Sequence, residues 1–311
     1  MKYVFGIDIG GTAVKLGFFT EEGKLLRKWS IKTDTSESGR FILRDISREI
    51  RRQIDRSGLL TYHIKGIGLG VPGPVLPDGT ANGCVALGWN RVDVRQEMEE
   101  LTGVRNIRVG NDANVAALGE MLYGAAKGHS SGVMVTLGTG VGGGIIIDGK
   151  IVAGTFGAGG EIGHMRVNDY ETTPCNCGNY GCLEQYVSAT GIVRRAEKNI
   201  GEYRGDSMLK NLQKVTAKDV FDCAKQGDGL ALVIVDDSMK ILAKALSVIS
   251  AVIDPEIYII GGGVSAAGEI IPSMLKKYYE DYAFHASTGT EIRLAELGND
   301  AGMYGAAGLI M

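Results

Sequence analysis

Three cysteines and one histidine lie close together in the middle of the sequence. Cys175, Cys177 and Cys182 have the spacing C-x-C-x4-C, and His164 precedes them by a short loop. Three thiolates and one imidazole form a closed tetrahedral site for structural zinc. The alternative is three ordinary thiols in a loop, but a chain without a secretion signal favours metal over disulfides. Because four protein ligands leave no position for a water molecule, we interpret the site as structural and not as the centre of a zinc hydrolase.

Glycine-rich turns between apolar runs form a second group of candidate residues. The first turn, residues 8–12, offers a carboxylate, a hydroxyl and backbone N–H groups without Cβ obstruction, and Lys15 follows it. Such a turn can bind phosphate groups, and its carboxylate can hold a metal-bound water. The alternative is a β-turn capped by an aspartate. A second turn of the same kind occupies residues 137–140. Residues 261–263 are three glycines after an apolar run. Either their backbone allows an adenosine to approach closely, or they form a crowded turn between a strand and a helix.

Three acidic residues complete the set of candidate polar side chains. Asp112 stands at a predicted strand end before a helix, where it can accept a proton from an attacking hydroxyl group. A helix N-cap is the alternative, because Asp and Asn are preferred at that position. Glu161 lies three residues before His164, and Glu184 lies two residues after Cys182. A bound metal would hold both carboxylates near one point, where they suit the vicinal hydroxyls of a sugar; solvated surface acids are the alternative.

Two strand meanders are predicted to position these residues. Each has the order strand, glycine turn, strand, turn, strand. The first has strands at residues 2–9, 13–20 and 24–33, and the second at residues 133–137, 143–147 and 150–152. Two meanders in matching order indicate a duplicated architecture, with a nucleotide held between the halves.

Apolar periodicity predicts the remaining elements. Isoleucines recur at every fourth position from Ile42 to Ile54, which is typical of an amphipathic helix. Helices are predicted near residues 40–56, 115–123, 230–253, 270–282 and 302–310, and further strands at residues 64–71, 107–109, 256–260 and 291–297. The last helix is expected to return and pack on the first domain.

Composition restricts the class of protein. A chain of 311 residues has room for two domains of ordinary size. Its net charge is −3, and no basic stripe indicates a nucleic-acid partner. The longest apolar run, about residues 245–260, is interrupted by Asp254, Pro255 and Glu256, so we expect no membrane span. The first strand begins at Lys2, so we expect neither a signal peptide nor a preceding DNA-binding module. A cytoplasmic location is therefore expected.

Five motifs together resemble those of one protein family. They are Asp8-Ile-Gly-Gly-Thr, Gly110-Asn-Asp-Ala-Asn, Leu137-Gly-Thr-Gly-Val-Gly-Gly-Gly, Gly160-Glu-Ile-Gly-His and Cys175-Asn-Cys-Gly-Asn-Tyr-Gly-Cys-Leu-Glu. In this order they resemble the ROK family of sugar kinases and repressors, and most of all its bacterial glucokinases. The resemblance implies an actin-like ATPase (ribonuclease H-like) fold, with two α/β domains and a cleft between them. The implied small domain is residues 1–114 plus about 300–311, and the implied large domain, residues 115–299, carries the zinc site.

The resemblance also implies an activity. The expected reaction is ATP-dependent phosphorylation of a hexose, glucose at its 6-hydroxyl, with Mg²⁺, a structural Zn²⁺ and a homodimeric assembly. Kinases for N-acetylglucosamine, N-acetylmannosamine, fructose or allose have similar motifs and remain alternatives. A sugar-sensing repressor that lacks its DNA-binding module is a more remote one.

Individual residues take roles by the same resemblance. Asp112 corresponds to the catalytic base. The implied sugar-binding residues are Asn111, Asp112, Glu161, His164 and Glu184. The implied nucleotide-binding residues are Asp8, Gly10, Gly11, Thr12, Lys15, Thr139, Gly140, Gly262 and Gly263. The implied zinc ligands are His164, Cys175, Cys177 and Cys182, and His164 would serve both zinc and sugar.

Overall fold

The computed structural model describes all 311 residues and divides into two compact units. The first unit comprises residues 1–130, 144–160 and 296–311. The second comprises residues 131–143 and 161–295. Compact units and functional domains are separate properties, so the predicted division at residues 114 and about 300 stays a prediction.

Strands and helices alternate along most of the chain. The strands are β1 (Tyr3–Ile9), β2 (Ala13–Thr20), β3 (Leu25–Lys32), β4 (Ile64–Val71), β5 (Thr80–Cys84), β6 (Trp89–Asp93), β7 (Ile107–Asn111), β8 (Gly132–Leu137), β9 (Val141–Ile147), β10 (Lys150–Ile151), β11 (Ile257–Gly261) and β12 (Glu291–Leu294). The helices are α1 (Ser36–Gly39), α2 (Ile42–Arg56), α3 (Val94–Thr102), α4 (Asp112–Tyr123), α5 (Glu184–Val187), α6 (Ala189–Ile200), α7 (Ala217–Lys225), α8 (Gly229–Ile253), α9 (Ile270–Tyr282) and α10 (Ala301–Gly308). None of these helices combines the length and the apolar character that crossing a bilayer requires.

Both large sheets have the same strand order. The first runs β3-β2-β1-β4-β7, with an antiparallel meander followed by two parallel strands. The second runs β10-β9-β8-β11-β12, and β11 is parallel to both β8 and β12. The glycine turns at residues 10–12 and 138–140 therefore join equivalent strands. The predicted duplication of the architecture is confirmed.

The C-terminal helix α10 packs on the first sheet, as predicted. A Cβ atom at Gly68 of β4 would lie 1.7 Å from the carbonyl oxygen of Ala306. A Cβ atom at Gly305 would lie 1.7 Å from the carbonyl oxygen of Val115 in α4. Because side chains cannot be accommodated at such distances, glycines on both sides allow α10 to lie against the sheet and against α4.

A buried carboxylate anchors the segment that leads into α10. Glu120 of α4 is fully buried, and its Oε2 accepts hydrogen bonds from the backbone N–H groups of Ala125 (2.9 Å) and Glu296 (3.1 Å). Its Oε1 accepts a third hydrogen bond, from the N–H of Leu297 (2.8 Å). Three backbone donors compensate for the desolvation of this carboxylate. Glu120 therefore holds the chain at the point where it re-enters the first unit.

Several elements were not predicted. The hairpin β5–β6 was missed because Asn82-Gly83 indicates a turn, whereas the strand continues through it with Gly83 at φ +81°. Helices α3, α6 and α7 were also missed. The predicted helix 115–123 begins three residues earlier, at Asp112.

Candidate active site

Asp112 is the first residue of α4, and its neighbour caps the helix. The side-chain Oδ1 of Asn111 accepts hydrogen bonds from the N–H groups of Ala113 (3.0 Å) and Asn114 (3.1 Å). Asn111 therefore caps the helix, and the alternative role of Asp112 as the cap is excluded. Asp112 is half-buried, and its Oδ1 accepts a hydrogen bond from the N–H of Ala113 (2.8 Å). Its carboxylate thus stands at the N-terminal end of the helix, where the backbone N–H groups of the first turn are exposed to it.

A buried thiol lies near this carboxylate. Cys84 is 1% exposed. Burial, and to a lesser extent the negative charge of Asp112, raises the pKa of the Cys84 thiol to about 11. The thiol is therefore neutral near pH 7 and acts as a small apolar group beside Asp112.

The first glycine turn joins β1 to β2 and leaves its tip exposed. The N–H of Gly10 donates to the carbonyl oxygen of Ala13 (3.0 Å), and Gly11 and Thr12 are exposed. The carboxylate of Asp8, just before the turn, forms an ion pair with Nζ of Lys15, and its Oδ2 lies 3.1 Å from that nitrogen. Lys15 also donates to the carbonyl oxygen of Asn299 (2.6 Å). Lys15 thus contacts both Asp8 and the segment before α10. Its spacing along the sequence does not indicate the second of these contacts.

The four predicted metal ligands form a cluster in the second unit. Their ligand atoms all lie within 4.8 Å of one another. The sulfur atoms of Cys177 and Cys182 are 3.7 Å apart, and the Cys175 sulfur lies 3.9 Å from Nδ1 of His164. Tetrahedral zinc with Zn–S bonds of about 2.3 Å separates two sulfurs by about 3.8 Å. The donor types and their spacing therefore fit one zinc ion.

The thiols of this cluster have different pKa values. Burial raises the pKa of Cys182 to about 12 and also raises that of Cys175. A hydrogen bond from the backbone at Asn179 lowers the pKa of Cys177. Because zinc binds thiolates, loading the cluster must displace protons from its thiols.

Glu184 connects the metal cluster to the second glycine turn. Its Oε2 accepts a hydrogen bond from the N–H of Val141 (2.9 Å), and its Oε1 lies 3.7 Å from the sulfur of Cys175. A Cβ atom at Gly140 would lie 2.3 Å from the same Oε2. Gly140 is therefore required to admit the carboxylate. Glu161 is exposed and precedes the short 3₁₀ turn Ile162–His164.

We expect Gly140→Ala to displace the carboxylate of Glu184, which the family resemblance implies in sugar binding, and thereby to raise KM for the sugar about tenfold or more, because misplaced contacts cost binding energy. Gly201→Ala is the matched control, since a Cβ atom there meets nothing within 4 Å. Steady-state kinetics of both variants check the prediction. An unchanged KM in Gly140→Ala would exclude Glu184 from the sugar site.

A cavity of about 370 Å³ brings the second glycine turn together with the glycines after β11. Its lining is mostly small or apolar, and the charged groups in it are Lys218 and Asp222, which form an ion pair. The lining residues are Gly138, Thr139, Ala189, Ala217, Lys218, Phe221, Asp222, Gly263, Val264, Ala266 and Ala267. Gly262 packs against this turn, since a Cβ atom there would lie 2.5 Å from the carbonyl oxygen of Leu137. An apolar slot beside a glycine turn suits a nucleotide base and its phosphates.

Sequence reasoning missed the α7 wall of this cavity. Thr216 caps α7 by accepting from the N–H of Asp219 (3.2 Å), and Asp219 accepts in return from the N–H of Thr216 (2.9 Å). This reciprocal pair is a capping box, which the sequence T-x-x-D would have indicated. Ala217, Lys218, Phe221 and Asp222 then share one face of the helix by their spacing.

Comparison with known proteins identifies the family. The family model described as ROK family matches residues 4–311. A glucokinase from Halalkalibacterium halodurans is 40% identical over 99% of this chain and 95% of the relative. A glucokinase from Thermotoga maritima is 36% identical over 99% of this chain and 96% of the relative. A ROK family glucokinase from Streptomyces griseus, solved in complex with glucose and AMPPNP, has a TM-score of 0.75 and 31% identity over 99% of this chain and 98% of that one.

The chain therefore has the actin-like ATPase fold with two α/β domains, as expected from the motifs. It belongs to the ROK family.

Proposed function

We propose that this protein is an ATP-dependent glucokinase, which transfers the γ-phosphoryl group of ATP to the 6-hydroxyl of glucose. The observation that carries the proposal is the start of α4, where Asn111 caps the helix and the carboxylate of Asp112 stands at the first helical position, beside the cap. The relatives named glucokinase, and the neighbour bound to glucose and an ATP analogue, support this choice of substrates.

Asp112 acts as the general base in this proposal. It accepts the proton of the glucose 6-hydroxyl as that oxygen attacks the γ-phosphorus. A bond forms between O6 and the γ-phosphorus, the bond between the γ-phosphorus and the β–γ bridging oxygen breaks, and ADP leaves with the resulting negative charge. Asn111 caps α4 through its own Oδ1, so the cap is kept when Asp112 takes up the proton.

Two glycine turns bind the nucleotide in this proposal. Thr139 and Gly140 bind phosphates beside the cavity that takes the adenosine, and Gly263 lines that cavity. Gly262 supports the adenosine side by packing against Leu137 at the start of the same turn. The turn of Gly10, Gly11 and Thr12 forms the second phosphate site, with its donors at the exposed Gly11 and Thr12 because the N–H of Gly10 is bonded to Ala13. Asp8, a half-buried carboxylate before that turn, would hold the water shell of Mg²⁺, which when bound supplies charge neutralisation to the transferring phosphoryl group. Lys15 keeps the Asp8 carboxylate in place.

The zinc cluster shapes the sugar side in this proposal. His164, Cys175, Cys177 and Cys182 would hold the ion, which when bound supplies a rigid tetrahedral link between distant parts of the loop. Nδ1 of His164 is the ring nitrogen that faces Cys175, which leaves Nε2 for a sugar hydroxyl. Glu161 and Glu184 accept hydrogen bonds from further hydroxyls of the sugar.

The family resemblance further supports a homodimeric assembly and a cytoplasmic location. Sedimentation equilibrium of the purified protein tests whether it is a dimer.

A panel of acceptor sugars tests the proposed substrate. We expect kcat/KM with ATP and Mg²⁺ to be at least about tenfold higher for glucose than for mannose, fructose, allose, N-acetylglucosamine or N-acetylmannosamine, a difference of about 1.4 kcal/mol. If another sugar leads, the substrate changes and the kinase assignment stands. If the protein phosphorylates none of these sugars, the assignment as a sugar kinase is wrong.

A further inference from the structure

Two loops of the first unit are held against the first turn of α4. Asn111 donates through Nδ2 to the carbonyl oxygen of Gly73 (3.1 Å), in the loop after β4. Asn114 donates through Nδ2 to the carbonyl oxygen of Gly159 (3.2 Å). Gly159 belongs to the segment of residues 153–160, here called the glycine loop. Two amides on one helical turn, on either side of Asp112, thus hold two separate loops.

The two loops also contact each other. A Cβ atom at Gly157 of the glycine loop would lie 2.5 Å from the carbonyl oxygen of Val75, so the two backbones are in direct contact. The helix turn and the two loops therefore form a closed arrangement with three points of contact. Removing the contact made by Asn114 leaves the glycine loop attached on one side only.

The glycine loop depends on such an anchor. Gly154, Gly157 and Gly160 all have positive φ values, between 73° and 93°, and such glycines restrict the backbone little when the chain is not held. The N–H of Gly159 donates to the carbonyl oxygen of Ala153 (2.8 Å), which closes the loop on itself. Its tip carries Phe156, whose exposed fraction is 79%. The loop ends directly before Glu161, a residue of the proposed sugar site.

Asn114 is an unfavourable residue for stability alone. It is 2% exposed, and its buried Oδ1 has no hydrogen-bond partner. Buried polar atoms without a partner are uncommon because they lose their bonds to water. Packing alone does not explain an amide at this position. The hydrogen bond from its Nδ2 to the glycine loop does explain it.

We propose that Asn114 is a positioning residue for the acceptor site: it holds the glycine loop against the helix turn that carries Asp112, and thereby sets the approach of the sugar to the base. This inference rests on the proposed kinase function for its kinetic consequence. Its structural part, the attachment of the loop, is independent of any activity.

Asn114→Ser tests the inference, because the serine side chain is neutral and too short to reach the Gly159 carbonyl. Asn106→Ser is the matched control, since Nδ2 of Asn106 also donates to a backbone carbonyl of the first unit, that of Lys65 (3.1 Å), at an exposed position. Asn114→Ala is the second variant, which removes the donor together with the unpartnered Oδ1 and adds no charge, in case the serine variant does not fold. Amide hydrogen exchange of residues 153–160 and steady-state kinetics are measured for each.

We expect exchange of the glycine loop to increase about tenfold or more in both Asn114 variants and to stay unchanged in Asn106→Ser. We expect kcat for the sugar to fall about tenfold or more, with KM for ATP within about twofold of the wild-type value, because a displaced acceptor site impairs the chemical step and not nucleotide binding.

Three results would overturn the inference. They are unchanged exchange of the loop in a folded Asn114 variant, a uniform increase over the whole first unit, and equal losses of kcat in Asn114→Ser and Asn106→Ser. If the wild-type protein turned over no sugar, the proposed function would fail, and the exchange data alone would still decide whether Asn114 holds the loop.

Discussion

Asp112→Asn should lower kcat about a thousandfold while glucose still binds, because the amide cannot accept the proton of the 6-hydroxyl. The substitution keeps the size of the side chain, and the helix keeps its cap, since Asn111 provides it. Glucose binding measured by calorimetry should stay within about threefold of the wild-type value, whereas the coupled assay reports the loss of kcat.

Asp45→Asn is the control for this experiment. Asp45 is also an aspartate in the first turn of a helix, and it pairs with Arg48 on the surface at 2.8 Å. Exposed ion pairs contribute little, so this variant should retain wild-type kinetics. Near-normal kcat in Asp112→Asn would exclude Asp112 as the base.

Removal of zinc should weaken sugar binding about 10- to 100-fold and weaken nucleotide binding much less. The reason is that His164 belongs to the cluster itself and Glu184 contacts it through Cys175. The lining of the cavity proposed for the nucleotide includes none of the four ligands. Cys182→Ser and chelator-treated wild-type protein should give the same result in calorimetric titrations with glucose and with a non-hydrolysable ATP analogue.

Cys223→Ser is the matched control, because Cys223 is a buried cysteine of the second unit outside the cluster. It should keep one zinc per chain by elemental analysis and should bind glucose normally. Equal losses of glucose and nucleotide binding on zinc removal would mean that the metal supports the whole fold, and the specific role in sugar binding would be wrong.

The strands of the two meanders could be predicted because their apolar runs are separated by glycine turns. Strand β2 has the predicted bounds, Ala13–Thr20, and β1 differs by one residue at its start. Helix α3 was missed although it has an aspartate cap, with Asp93 accepting from the N–H of Gln96 (2.9 Å). Its buried positions Val94 and Met98 are few and separated by charged residues, so periodicity gives a weak signal there.

The parts of the candidate site that could be predicted are those where the chemistry permits only a few residue types. The parts that could not be predicted are those where segments distant in the sequence meet. Thiols and an imidazole at close spacing indicate a metal cluster directly. The sequence could not decide whether Asp112 is a base or a helix cap, because an aspartate suits both roles and only the backbone geometry shows that Asn111 is the cap. The contact of Lys15 with the carbonyl of Asn299 joins residues 284 positions apart, so local spacing carries no information about it.

The most direct test of the central claim is identification of the reaction product. Purified protein is incubated with ATP, Mg²⁺ and glucose, and ³¹P and ¹³C NMR spectra are recorded while ADP is quantified. The account predicts glucose phosphorylated at the 6-hydroxyl, formed in a one-to-one ratio with ADP. Release of inorganic phosphate in place of a sugar phosphate, or no consumption of ATP with any hexose, would contradict it.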